Sequence, residues 1–240
     1  MRARDYLHKL TRQFGVEVHK ANPFTVPEWR VAQMLNRHGI QTFLDVGAND
    51  GAYAIELLEN GFLGSILSFE PLPDVWEILR QKAARAHSRW NVAPCIALSD
   101  QNGEAEFTEA GNTVSSSLLS MLDSHINAAP QSRPLGKITV QTVRLDDFLL
   151  KEPVASPVFL KIDVQGAEML VLEGATRALQ DVVVGIQVEM SLVPLYEGQA
   201  LYWEVDSFLR GKGFKCSHII PGFSDPETLH TFQYDGIYFR

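Results

Sequence analysis

From residue 42 onward the chain alternates short, almost continuously apolar runs with helical stretches, and this rhythm limits the fold more than any other feature. The runs cover 42–46, 65–69, 90–98, 158–162 and 182–189, and helical stretches follow at 52–59, 74–86, 167–180 and 202–212. Strand–helix alternation calls for right-handed crossovers and a mainly parallel sheet. Runs that are apolar on both sides belong to a sheet covered by helices on both faces. Residues 104–108 and 138–145 read as extra strands. The Ser-, Asn- and Pro-rich connection between them (111–134) has the length of a functional lid. The tail from Lys215 to Phe239 reads as a closing hairpin, an antiparallel edge on the parallel sheet. Ahead of the rhythm, Tyr6, Leu7, Leu10 and Phe14 stand at helical spacing, and a second helix is expected from Pro27 to His38, with Gly39 just beyond it. The expected organisation is an α/β domain over 39–240 behind a helical extension over 1–38.

Charge narrows the partners. The 240 residues carry a net charge of −8, which argues against a general nucleic-acid binder. The segment 1–38 holds seven basic and three acidic side chains, so it is +4 and the remainder −12. Its basic face reads as a solvated one, with an anionic acceptor or a neighbouring subunit as the alternative. Cys95 and Cys216 form no disulfide framework and lack metal-ligand spacing. No apolar stretch resembles a secretory signal or a membrane span, so a cytoplasmic protein is expected.

Three segments carry chemistry. In Phe43-Leu44-Asp45-Val46-Gly47-Ala48-Asn49-Asp50-Gly51 a buried strand enters a glycine turn that opens a helix, where open α/β sheets bind ligands. The spacing is not the G-x-G-x-x-G of a dinucleotide site, and Asp45 would repel phosphates. The turn favours a cationic ligand, such as the ammonium and sulfonium of S-adenosylmethionine. Glu70 ends the second strand, 19 positions after Gly51, where a carboxylate accepts hydrogen bonds from ribose hydroxyls. In Phe159-Leu160-Lys161-Ile162-Asp163-Val164-Gln165-Gly166-Ala167-Glu168, Lys161 and Asp163 point to the same side of a strand. Two charges there are costly unless they pair or meet a ligand.

The runs LDVGANDGAYA, FEP and above all LKIDVQGAE resemble the FkbM family of S-adenosylmethionine-dependent methyltransferases. The likeness continues through Ala97-Leu98-Ser99-Asp100, Ser116-Ser117-Leu118, Leu145-Asp146-Asp147, Val188-Glu189 and Asp235-Gly236-Ile237-Tyr238-Phe239. It implies a Rossmann-like class I methyltransferase fold, a seven-stranded sheet whose last strand inserts antiparallel. It further implies that Asp45, Gly47, Asn49 and Gly51 hold the cofactor's amino-acid end and Glu70 its ribose. Leu98, Ser99 and Asp100 would flank the adenine, and Asp163 would lie nearest the transferring methyl. Members mostly methylate sugar and natural-product hydroxyls. A hydroxyl needs a general base. Asp163 leads the candidates, with Lys161 orienting it or stabilising a developing oxyanion, ahead of Glu189, Glu168 and, less securely, His125 or His218. His125 reads first as a solvated loop residue. Tyr196, Tyr202 and Trp203 read as core, with sugar stacking as the alternative. A divalent metal on Asp163 and Glu189 is not favoured, since no ligand spacing supports it. N-methylation and a nucleoside-binding domain without turnover stay open, as does a homo-oligomer. A nicotinamide dehydrogenase is disfavoured by the missing third glycine.

Overall fold

The computed structural model describes residues 10–16 and 18–240. Most of the expected helix over 4–14 lies outside the described residues; within them, residues 10–12 are helical. Helix α1 (Pro27–Arg37) precedes strand β1 (Thr42–Val46), α2 (Ala52–Glu59), β2 (Ser65–Phe69), α3 (Pro73–Ala86) and β3 (Trp90–Val92). A small excursion follows, with β4 (Ala97–Leu98), β5 (Gly103–Ala110), α4 (Asp123–Ala128) and β6 (Pro134–Val143). The chain closes through α5 (Leu145–Lys151), β7 (Val158–Ile162), α6 (Glu168–Gly174), α7 (Thr176–Asp181), β8 (Val183–Ser191), α8 (Tyr202–Gly211), β9 (Lys215–Pro221) and β10 (Gln233–Phe239).

Seven strands form the main sheet in the order β3-β2-β1-β7-β8-β10-β9. All pairs from β3 to β8 are parallel, and β10 inserts antiparallel between β8 and β9. Side-chain alternation splits the core into two layers. Leu44, Val46, Leu160 and Ile162 face α5 to α8, while Phe43 and Phe159 face α1 to α3. Phe43 is fully buried and stacks on Phe159 at 5.6 Å. Helix α1 contributes Val31, Ala32 and Leu35 to that second layer, so it is packed on the sheet.

Two elements differ from expectation. The run 90–98 divides: Trp90–Val92 joins the main sheet, while Ala97–Leu98 pairs with β6 in a second sheet ordered β4-β6-β5. Pro94, which has no amide hydrogen to continue a ladder, lies at the break. The single helix expected over 167–180 is two helices. Gly174 ends the first of them and passes so close to the residue after β4 that an added Cβ would lie 1.9 Å from the Ser99 carbonyl oxygen.

Candidate active site

The parallel strands deliver their polar ends to one edge of the sheet, and register decides which meet. Asp45 on β1 lies opposite Ser68 on β2 and Lys161 on β7. Asp45 is fully buried and accepts a hydrogen bond from the Ser68 hydroxyl at 3.2 Å. The Lys161 ammonium sits 3.5 Å from Asp45 and 3.4 Å from Asp163, with the Tyr53 ring 4.9 Å away. Burial alone would lower the Lys161 pKa, but Asp163 and Asp45 more than offset it and hold the ammonium charged. Lys161 is thus a buried counter-ion that ties two strand ends together.

The β1–α2 turn is shaped by backbone contact. Gly47 has φ +77°, and a Cβ there would lie 1.9 Å from the Asp163 carbonyl oxygen, so only glycine lets the two turns touch. Asn49 follows in the left-handed region at φ +46° and donates its backbone N–H to Glu70 at 2.9 Å. The other Glu70 oxygen accepts the Leu72 N–H at 2.9 Å. Burial pushes the Glu70 carboxyl up to about 7 despite these hydrogen bonds.

These turns open onto a cleft lined on its polar side by Gly47, Asn49, Glu70, Asp163 and Gln165. Phe69, Ile96, Leu98, Phe107 and Leu118 make its apolar side. The second sheet therefore serves as a wall of the cleft, a placement that strand prediction alone could not supply. Of the expected cofactor residues, four line the cleft besides Asp163: Gly47, Asn49, Glu70 and Leu98. Asp45 lies behind it, Gly51 abuts Trp90 and Leu79, and Ser99 donates its hydroxyl to Asp100 away from the lining.

A second cavity adjoins the first across Val114, Asp163 and Gln165, which line both. Gln165, at φ +57°, was not among the expected site residues, yet it organises this wall. Its amide donates to Asp163 at 2.9 Å and to Glu189 at 3.0 Å, while its carbonyl lies 3.0 Å from the Tyr196 hydroxyl. Gln233 adds a 2.6 Å hydrogen bond to Glu189. Burial, then Asp163 and Glu168, push the Glu189 carboxyl well above its usual range. Glu168 is placed otherwise. It is buried, accepts the Val164 and Gly166 N–H groups at 3.2 and 3.0 Å, and clamps the turn without lining either cavity.

The aromatic and histidine candidates also separate. His125 is buried, not solvated, because the connection 111–134 is docked: Leu122 donates to Leu195, and Glu197 to Ser120. His218 stands on β9 beside Arg30, on the far side of the sheet's edge strands. Tyr196 is buried beneath the site, whereas Tyr202 and Trp203 are exposed on α8 instead of sitting in the core.

The profile of the methyltransferase FkbM domain matches residues 45–216. The chain belongs to the FkbM methyltransferase family. Among curated proteins, this FkbM chain is 28% identical over 206 residues, 80% of each protein, to the 2-O-methyltransferase NoeI of Sinorhizobium fredii. It is 29% identical over 139 residues to the hexuronic acid methyltransferase AglP of Haloferax volcanii, covering 58% of this chain and 51% of that protein. It is 25% identical over 194 residues to Methyltransferase 1 of Beauveria bassiana, covering 77% of this chain and 76% of that protein. The methyl donor of an FkbM methyltransferase is S-adenosylmethionine, and the first cleft fits it. A buried carboxylate with free lone pairs faces an apolar wall, and a glycine turn beside Asp163 leaves room for close backbone approach.

Proposed function

We propose that the protein transfers a methyl group to a hydroxyl of a sugar or glycan, with Asp163 as general base. The observation that carries this reading is that Asp163 stands on the wall shared by the two cavities. A base must lie within reach of both the acceptor's proton and the reacting centre. In this reading Glu70 holds the ribose, Gly47 and Asn49 the amino-acid end, and Leu98 the adenine face. Bound there, S-adenosylmethionine supplies an electrophilic methyl on a cationic sulfonium. The chain's own contribution is alignment and proton removal. Lys161 on one oxygen and the Gln165 amide on the other fix the Asp163 carboxylate from two directions. Removing a hydroxyl proton as the new bond forms is worth about 10²–10⁴ in rate.

AglP is named for a hexuronic acid and NoeI for transfer to an oxygen, and together these names support a sugar hydroxyl as the acceptor class. Both cysteines are free, and no helix of the described residues is long and apolar enough to cross a membrane, which accords with a cytosolic site of action. Incubation with methyl-labelled donor and a panel of glycosides, aglycones and amines tests the reading. Label on a sugar hydroxyl is expected; label only on amines, or none above background, would overturn it.

A further inference from the structure

The second cavity has a chemistry of its own, and assigning it an occupant deepens the sugar-acceptor reading and rests on it. Beyond the shared wall the space is bounded by His125, Glu189, Phe223 and Gln233. One side is aromatic. The His125 ring stacks on Phe223 at 5.4 Å with 28° between planes and meets the Tyr196 ring edge-on at 5.3 Å. His125 is only 3% exposed, and its Nδ1 has no hydrogen-bond partner among the described residues. That nitrogen is shut off from the cavity surface, so His125 serves this wall as a rigid backing for the Phe223 ring. The lining also includes Asn112, Ser115, Gln131 and Gln233, uncharged groups suited to hydroxyls.

Charge separates one class of acceptor from another. The acidic lining groups are Asp163 and Glu189, and no Lys or Arg lines the cavity among the described residues. The cation nearest to them, Lys161, is buried and already engaged by Asp45 and Asp163. Burial also lowers the His125 pKa, which keeps its ring neutral. Burial favours the uncharged form of Glu189, so a carboxylate entering here would meet the charge of Asp163 with no unengaged counter-ion in the lining, the arrangement by which binding sites exclude wrong partners.

We propose that this cavity seats an uncharged sugar ring, with its C–H face on Phe223 and the buried His125 ring backing that face, and that it excludes acceptors bearing a carboxylate. The chain thereby parts from the hexuronic acid methyltransferase to which it is related. Phe223 and Gln233 lie beyond the family match over 45–216, whereas His125 and Glu189 lie within it.

Saturation-transfer NMR and competition titrations on the full chain with S-adenosylhomocysteine present test the proposal. The probes are methyl glycosides of glucose, galactose and fucose against methyl glucuronide and methyl galacturonide. Neutral glycosides are expected to bind through their ring C–H protons, with uronides at least about 100-fold weaker. His125→Gln and Phe223→Leu should each weaken neutral-sugar binding at least about tenfold, with calorimetric S-adenosylhomocysteine affinity as the check on folding. Gln131→Arg, which sets a cation at the rim, should narrow the neutral-to-uronide ratio about tenfold. Equal or tighter uronide binding would overturn the proposal while leaving the sugar reading intact. So would neutral-sugar binding undiminished in both the His125 and Phe223 variants. Failure of every sugar to bind, with methyl transfer to a non-sugar acceptor, would instead remove the sugar reading and this inference together.

Discussion

Glu70 offers a quantitative test of how the cofactor cleft is built. The side chain is 5% exposed, and burial raises its carboxyl from 4.5 to about 7. The unfolded chain therefore releases this proton near pH 4.5, while the folded protein keeps it until near pH 7. Between those values the folded state binds more protons than the unfolded one, so stability falls as pH rises and levels off above about 7. The ceiling is a shift of about 2.5 units at 1.36 kcal/mol each, or about 3 kcal/mol. For a domain of this size that corresponds to about 6–12 °C in Tm. Glu70→Gln removes the titration. It also sets an amide N–H₂ against one of the two backbone donors, a cost that does not vary with pH. The slope, not the absolute stability, is what the comparison reads. Urea unfolding at half-unit steps from pH 4.5 to 8 should show the wild type losing up to about 3 kcal/mol relative to Glu70→Gln across that window. Parallel curves for the two proteins would refute the reasoning, because a carboxyl that titrates alike in both states is not held as described.

Contacts elsewhere in the fold carry three more predictions. Gly47→Ala should cost at least about 2 kcal/mol in denaturant unfolding and abolish calorimetric S-adenosylhomocysteine binding, since the left-handed turn and the Asp163 carbonyl leave no space for a methyl. Lys161→Met leaves Asp45 buried without its counter-charge and should cost about 3–5 kcal/mol. The double variant Asp45→Asn with Lys161→Met should recover much of that loss in the same unfolding assay. Asp146→Ala should cost about 1–2 kcal/mol, because its carboxylate accepts the Arg177 and Ala178 N–H groups at 2.9 and 2.8 Å and so caps α7 from another element. Asp146→Asn, which keeps one acceptor, should fall between in thermal melts.

The sequence made the sheet legible because apolar runs and helical stretches alternate so regularly that few topologies remain. The strand-end charges were legible for the same reason: Asp45, Glu70, Lys161 and Asp163 interrupt otherwise apolar runs, and register then brings Asp45 and Lys161 side by side. Roles were harder to read than positions. Glu168 and Glu189 look alike as acids at strand or helix ends, yet one clamps a turn and the other faces a cavity, a difference set by which backbone N–H groups lie near. Gln165 sits within the LKIDVQGAE run but nothing there told its role, and Gln233 carried no signal, since an uncharged amide in a turn or strand is common until its partners are known. The burial of His125 depends on hydrogen bonds from the long connection to the segment after β8, a non-local pairing that no local pattern announces.

The central claim is that Asp163 acts on the acceptor's proton and not chiefly on cofactor affinity. Asp163→Asn keeps the shape, although its amide can no longer take up a proton. It should be measured twice in one preparation, by S-adenosylhomocysteine titration and by transfer of labelled methyl to a glycoside acceptor. Affinity within about threefold of wild type with turnover reduced about 10²–10⁴-fold is the predicted result. Turnover that survives, or that falls only in proportion to lost cofactor binding, would contradict it.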